Sequence, residues 1–326
     1  MNLLRVSSSP HIRTNDDTES IMLDVIIALM PALIAAVYFF GYRAIVITII
    51  TIASSVFFEH IWALAFKKPT TINDLSAVVS GLLLAFNLPV TVPLWLPVVG
   101  SFFMIIIVKM FYGGLGQNFI NPALAARAFL LASWPSAMTT WVDIAPKLNL
   151  FSNPDVVSTA TPLALIKGGI HTGVALPSYL NLFLGGVGGC IGETSVLALL
   201  IGAIYLLYRK IINWRIPFTF IASVGCFTYI FGGTTLFTGD FIYHILAGGL
   251  ILGAFYMATD YTTSPVTPLG QIYYGIGCGL IASIIRLWGG YPEGVSYAIL
   301  LMNVASPLIE KLTPPNRFGK KVMKNA

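Results

Sequence analysis

The sequence predicts an all-α polytopic membrane protein with about ten transmembrane helices. Of its 326 residues, 56% are hydrophobic and 10% are charged, whereas soluble domains carry roughly a quarter charged residues. The mean hydropathy is +0.84. Apolar runs of roughly 20 residues recur from Ile21 to the C-terminal tail, each about long enough to cross a ~30 Å hydrocarbon core as a helix. Alternation of the kind that marks a lipid-facing barrel strand is missing from these runs. Backbone groups in lipid must be satisfied internally, so helices are the spanning structure that remains.

The elements follow in order. Residues 1–20 carry Arg5, Arg13, Asp16, Asp17 and Glu19 without an apolar stretch, and read as a polar tail rather than a signal peptide. Hydrophobic segments are expected at 21–41, 44–66, 75–88, 94–112 and 121–134, a first membrane half covering 21–134. A hydrophilic loop occupies 135–179. A second half, 180–310, holds segments at 180–208, 216–233, 242–258, 270–288 and 294–310, followed by a basic tail at 311–326. Segments 75–88 and 121–134 are short for a full crossing, and 180–208 is interrupted by Gly185-Gly186-Val187-Gly188-Gly189; short or glycine-broken helices build internal sites in transporter-like folds. Gly81-Leu82-Leu83-Leu84-Ala85-Phe86 is similar to Gly249-Leu250-Ile251-Leu252-Gly253-Ala254-Phe255, five segments later. That spacing reverses orientation, as two inverted five-helix repeats require, although apolar helices converge on such strings easily.

Charge sets the orientation. With the N-terminus in the cytoplasm, the inside segments collect twelve of the 18 basic residues: Arg5, Arg13, Lys67, Lys68, Arg209, Lys210, Arg215, Lys311, Arg317, Lys320, Lys321 and Lys324. The outside segments hold Arg43, Lys147 and Lys167, while Lys109, Arg127 and Arg286 lie within or at the ends of apolar segments. The asymmetry places both termini inside and the 135–179 loop outside the cytoplasm. A net charge of +5 is therefore read as membrane topology, with no nucleic-acid partner.

Several function classes are disfavoured. Cys190, Cys226 and Cys278 are far apart and form neither a disulfide framework nor an iron–sulfur or zinc cluster, so no metal site is expected. His60 and His244 are the histidines near membrane segments, too few for a two-haem cytochrome. The glycine clusters follow no strand, and a Walker loop is missing.

Three stretches can carry chemistry. In Asp155-Val156-Val157-Ser158-Thr159-Ala160-Thr161-Pro162-Leu163, Thr161 reads as a helix N-cap with Pro162 as the first helical residue. A phosphate ester on Thr161 would lie where helix N–H groups favour it. In Gly113-Gly114-Leu115-Gly116-Gln117-Asn118-Phe119-Ile120-Asn121-Pro122, an irregular turn leads into a short helix capped by Asn121. The amides of Asn118 and Asn121 can face one cavity, matching a heteroaromatic ring edge or satisfying re-entrant backbone. Arg127, further along that helix, needs a protein interior and a partner: an anionic ligand, an acidic residue or a helix C-terminus. In the third stretch, Gly185–Ser195, Glu193 is either an acid on an ion path or the cap of a broken helix. The same alternatives hold for Asp24, Asp74 and Asp260.

On these three motifs and the run Ala258-Thr259-Asp260-Tyr261-Thr262-Thr263-Ser264-Pro265, nearly the whole chain resembles the integral membrane D-type protein of the Rnf complex, homologous to the B-type protein of sodium-pumping NADH:quinone oxidoreductase. The resemblance implies flavin mononucleotide (FMN) held covalently by a phosphoester on Thr161, within a motif that includes Asp155 and Ser158. The family's usual glycine is Thr159 here, which makes Thr159 a rival, less favoured attachment point. It further implies a non-covalent riboflavin near the cytoplasmic side, with Asn118 and Asn121 as its site, Arg127 beside a flavin and Asp260 lining a pocket.

The implied function is a flavin-carrying subunit of an ion-translocating ferredoxin:NAD oxidoreductase, passing electrons between flavins while the complex pumps sodium ions or protons. Its implied partners are the B, C, G, A and E types of Rnf protein, a flavin transferase that acts outside the cytoplasm, and membrane lipid. Ferredoxin and NAD are reached through partner subunits, and the implied location is the bacterial cytoplasmic membrane. The D-type reading is preferred over the quinone-reducing B type because the first span begins near residue 21. A non-redox channel or transporter and a cofactor-free assembly subunit remain as readings from other classes.

Overall fold

The computed structural model describes residues 17–142, 158–167, 176–233, 235–291 and 293–314. Its first helix, α1 (Thr18–Phe40), is capped by Asp17 and stopped by Gly41, whose φ of 73° turns the chain directly into α2 (Tyr42–Ala65). Then come α3 (Ser76–Phe86), α4 (Trp95–Phe102) with a π-helical continuation (Phe103–Met110), and α5 (Pro122–Ser133). Asn121 caps α5 through the N–H groups of Ala123 and Leu124. After the single turn α6 (Pro135–Met138), two-residue strands β1 (Trp141–Val142) and β2 (Ser158–Thr159) pair antiparallel, Trp141 opposite Thr159. This ladder is the only strand pairing among the described residues, and the fold is otherwise helical.

The loop contributes α7 (Pro162–Lys167), and then come α8 (Tyr179–Leu184), α9 (Val196–Tyr208), α10 (Arg215–Phe231), α11 (Phe241–Leu246) and α12 (Leu250–Leu252), which continues as a π-helix (Gly253–Met257). Helices α13 (Pro268–Trp288) and α14 (Val295–Leu312) close the second half. By length and composition α1, α2, α13 and α14 are each able to cross a membrane, and five shorter apolar helices accompany them. Residues such as Ile34, Ile49, Leu64, Ile204, Leu301 and Val304 are exposed on these helices, as lipid-facing side chains are. The protein is a multi-pass membrane protein.

Two departures from the expected segments matter. Segment 242–258 is not one helix. It breaks at Ala247–Gly249, where the Arg286 guanidinium on α13 donates to the carbonyls of His244 and Ala247. A helix end leaves carbonyls without intrahelical donors, and Arg286 supplies two. The similar strings 81–86 and 249–255 also differ in geometry, since the first is a regular α-helix and the second winds into the π-helical stretch.

The break that the sequence predicts in segment 180–208 extends from Gly185 to Ser195. It is satisfied by the break that follows α3. The Ile191 N–H donates to the Leu88 carbonyl and the Gly192 N–H to the Phe86 carbonyl, both at 3.0 Å. Unpaired backbone at membrane depth is tolerated only inside protein, so each interruption supplies partners for the other. Gly192 permits the approach, because a Cβ there would fall 2.2 Å from the Phe86 ring.

The halves also meet where α1 crosses α9. A Cβ at Gly202 would stand 1.8 Å from the Ala28 carbonyl oxygen. Tyr256 donates to the carbonyls of Leu199 and Ala28, and Asp24 accepts from Tyr205 at 2.6 Å and from Arg209 at 2.8 Å. Asp24 is thereby a tie between helices. Gly275 and Gly279, one turn apart on α13, lie against the carbonyls of Ile216 and Phe220 on α10, the small-residue packing that brings membrane helices close.

Candidate functional site

Two cavities and a buried polar cluster near one of them hold the chemistry-bearing residues. The first cavity, of about 280 Å³, is lined by Thr161, Arg127, Trp141, Tyr291, Glu293 and Tyr297, among others. Thr161 is 3% exposed. As the sequence predicts, it caps α7: its Oγ1 accepts from the Ala164 N–H at 3.2 Å. The hydroxyl proton is left for another acceptor or for replacement. Helix α7 has only six residues, so the aligned dipole expected to favour a phosphate is small. The Tyr291 and Tyr297 rings stack at 5.7 Å and 29°, giving the cavity a planar aromatic wall.

Arg127 joins Thr161 in this cavity, reached from α5 on the other side of the sequence. Its guanidinium donates to Asn87 Oδ1 at 2.9 Å, to Ser296 Oγ at 3.0 Å and to the Glu293 carboxylate. A fourth contact reaches Cys190 Sγ at 3.6 Å. Of the readings open for Arg127, pairing with an acidic residue is observed; it is Arg286 that serves a helix C-terminus. Beneath the arginine, Glu193 accepts the Cys190 backbone N–H at 2.9 Å inside the break, while the cap of the helix that follows is Ser195. Cys190, Glu193 and Glu293 bring ligand atoms within 4.8 Å of one another. Arg127 places a cation against this set through Glu293 and Cys190.

The second cavity, of about 270 Å³, brings together Asn118 and Asn121, predicted for one site, and Asp260, distant in sequence and expected to line a pocket. Their side chains are largely engaged. Asn121 accepts two α5 N–H groups and donates to the Met257 carbonyl at 3.3 Å, and Asn118 donates to the Ile120 carbonyl. Asp260, in the loop before α13, accepts from the hydroxyls of Thr262 and Thr263 at 3.1 and 3.2 Å. Removal from water pushes its carboxyl above the usual carboxylate range, against those hydrogen bonds.

The predicted residues thus divide. Thr161 and Arg127 share one cavity; Asn118, Asn121 and Asp260 share the other. Ser158 enters through its backbone, paired with Val142 in the short ladder, and Asp155 lies outside the described residues. Asp74 accepts from the Ser76 N–H and hydroxyl at the start of α3.

Sequence reasoning does not single out Asn87, Glu293, Ser296 or the tyrosine pair. It also misses an ion pair on the second cavity's wall, in which Lys109 Nζ lies 2.9 Å from Glu59 Oε2, both side chains almost fully buried. The available signal is the charge itself, since Lys109 and Glu59 each sit in an apolar run and an intramembrane charge requires a partner.

A helical membrane domain with paired broken segments and two polar-edged cavities defines the class: an integral membrane protein with its polar sites between helices. The chain belongs to the NQR2, RnfD, RnfE family, whose profile matches residues 5–319. It is 57% identical over 326 residues to the D-type component of the Na(+)-translocating ferredoxin:NAD(+) oxidoreductase complex of Acetobacterium woodii, covering 99% of this chain and 98% of the relative. Identity to the D-type component of the proton-translocating ferredoxin:NAD(+) oxidoreductase complex of Clostridium ljungdahlii is 46%, over 98% of this chain and 97% of the relative. To the D-type component of the ion-translocating oxidoreductase complex of Aliivibrio salmonicida it is 35%, over 97% of this chain and 98% of the relative.

Proposed function

We propose that this chain is the flavin-carrying D-type component of an ion-translocating ferredoxin:NAD oxidoreductase. In this reading FMN is joined to Thr161 by a phosphoester and a riboflavin occupies the cavity of Asn118, Asn121 and Asp260. The observation that carries the reading is the placement of Thr161: the last threonine of the Asp155–Thr161 motif borders a cavity walled by aromatic rings and the Arg127 guanidinium. The size and planar wall fit an isoalloxazine, and Arg127 offers a cation near its acceptor edge. When bound, flavins supply the electron chemistry; the protein supplies position and electrostatics.

The chain's residues have definite tasks in this scheme. Thr161 anchors, Arg127 and Glu293 hold the charge of one cavity wall, and α5 connects the two cavities. Asn121 at its start and Arg127 further along are separated by roughly 9 Å of helix rise at 1.5 Å per residue. Flavins held at the two cavities would supply the electron transfer, with α5 residues bordering both. The surrounding complex, with B, C, G, A and E types of Rnf protein, links them to ferredoxin and NAD and moves sodium ions or protons.

Both termini lie in the cytoplasm of a bacterial cell, and the Thr161 loop outside it, where a flavin transferase reaches it. The sequence halves 21–134 and 180–310 form an inverted pair in this proposal, with α1 of the first packed against α9 of the second.

Mass spectrometry of the peptide containing Thr161 from native membranes tests the reading. A mass increase of FMN minus water on Thr161 is expected. An unmodified threonine from cells with an active flavin transferase would overturn it.

A further inference from the structure

Lys109 occupies a place on the wall of the second cavity that the sequence assigns to the two asparagines. It lies in the π-helical stretch Phe103–Met110 and is 2% exposed. Its ammonium donates to Glu59 Oε2 at 2.9 Å and to Ser76 Oγ at 2.6 Å. The other Glu59 oxygen accepts from the Thr71 hydroxyl, and the Ser76 hydroxyl donates to Asp74. Lys109 and Ser76 both line the cavity, whereas Glu59 does not. The pair is therefore oriented, with its positive member at the cavity and its negative member behind.

An ammonium has three N–H donors and no acceptor. Two are engaged by Glu59 and Ser76, which leaves one donor on a residue that lines the cavity. By contrast the Asn121 amide is engaged by α5 and by Met257, and the Asp260 carboxylate by two threonines. A polar group held this far from water, with both charges fixed by hydrogen bonds, acts at short range and low local dielectric.

We propose that Lys109 is the residue that donates a hydrogen bond to the acceptor edge of the ligand in this cavity, and that the Lys109–Glu59 pair sets how readily that ligand is reduced. The ligand class is a planar heteroaromatic ring with a carbonyl edge, and the inference rests on the reading that a non-covalent flavin occupies this cavity. An isoalloxazine that takes up two electrons from a neighbouring redox centre of the complex and one proton from solvent carries one net negative charge on its pyrimidine edge. A cation facing that edge binds the reduced ring more tightly than the oxidised one and so raises its midpoint potential. Glu59, behind the cation, moderates the effect. Lys109 is a binding residue here and Glu59 a positioning residue.

The test uses the intact complex purified in detergent, with acid-extractable riboflavin quantified and the midpoint potential of the non-covalent flavin read by redox titration. Glu59→Gln keeps an acceptor for Lys109, with the Thr71 hydroxyl turned to accept from the amide, and removes the counter-charge, so the potential is expected to shift upward. Glu59→Gln combined with Lys109→Gln removes both charges without leaving either unpaired; the potential is expected to shift below wild type, with a several-fold loss of retained riboflavin. The covalent flavin is expected to keep its potential in both variants.

Riboflavin present at wild-type level with an unshifted potential in both variants would overturn the role of Lys109 while leaving the flavin reading intact. Wild-type complex without extractable flavin would overturn both. If the double variant fails to assemble, the direction of the Glu59→Gln shift decides alone, because a pair of purely structural value would leave the potential unmoved.

Discussion

Arg127 and Thr161 border the same cavity although one lies on α5 and the other follows the loop beyond it, while Asn121, the cap of that same α5, borders a different cavity. A twelve-residue helix thereby serves two sites, one at its start and one further along. Pro122 and the Asn121 cap fix where it starts, and Arg127 is held by Ser296 on α14, by Glu293 just before that helix, and by Asn87 and Cys190 from the two chain breaks.

Removing the Thr161 hydroxyl tests the proposed flavin attachment apart from folding. Thr161→Ala is expected to abolish the fluorescent band of the denatured chain and to cost about 1 kcal/mol through the lost cap. Thr161→Ser is expected to keep both, and Thr159→Ala to keep the fluorescence. A fluorescent Thr161→Ala band would move the attachment point to Thr159.

The Arg127–Glu293 pair is nearly dehydrated. Breaking a buried pair from one side costs about 3–5 kcal/mol, because the remaining charge has no compensation. Arg127→Gln is therefore expected to lower the thermal midpoint of the detergent-solubilised protein by several degrees, more than Arg127→Gln combined with Glu293→Gln. An equal or smaller loss in the single variant would show that the pair is not the main partner.

At the α1–α9 crossing, Gly202→Ala would drive a methyl group into the Ala28 carbonyl. Overpacking of this kind costs about 1–3 kcal/mol, and the helices must move apart, which strains the Asp24–Arg209 tie. Gly290→Ala, which meets nothing within 4 Å, is the matched control. Comparable melting of the two variants would contradict the close crossing.

Asp260 gives a pH dependence of defined sign. Its carboxyl titrates above the ordinary aspartate value in the folded state because burial disfavours the charge. The folded protein therefore binds the proton more tightly than the unfolded one, and this group's contribution to stability falls as pH rises through the interval above 3.8. Asp260→Asn is expected to flatten that part of the stability–pH curve, measured by thermal unfolding in detergent. An unchanged slope would exclude Asp260 as its source.

Much of the architecture is legible in the sequence because membrane depth leaves few options. The short segments at α3 and α5, the Asn121 cap, the Thr161 cap and the glycine-broken 185–195 stretch follow from local rules about caps, glycine and length. Segment 242–258 reads as continuous, since Ala247-Gly248-Gly249 alone gives no more warning of a break than other glycines that stay helical, such as Gly275 and Gly279. The deciding partner, Arg286, comes from another helix. Lys109 and Glu59 are visible as charges in apolar runs, but nothing local says that they pair with each other.

The sequence by itself determined the class of protein, the approximate spans, the helix caps and the residues worth suspecting, because hydrophobic length, charge asymmetry and capping chemistry act over a few neighbouring residues. Tertiary structure alone decided which suspects meet. It put Arg127 in one cavity with Thr161 and Asn121 in another with Asp260 from a single short helix, engaged the asparagine amides in backbone contacts, and brought Lys109 into a cavity wall. Those outcomes depend on how two interrupted segments pack to satisfy each other's backbone. That constraint joins residues 86–88 to 190–192 and exists only once the helices have assembled.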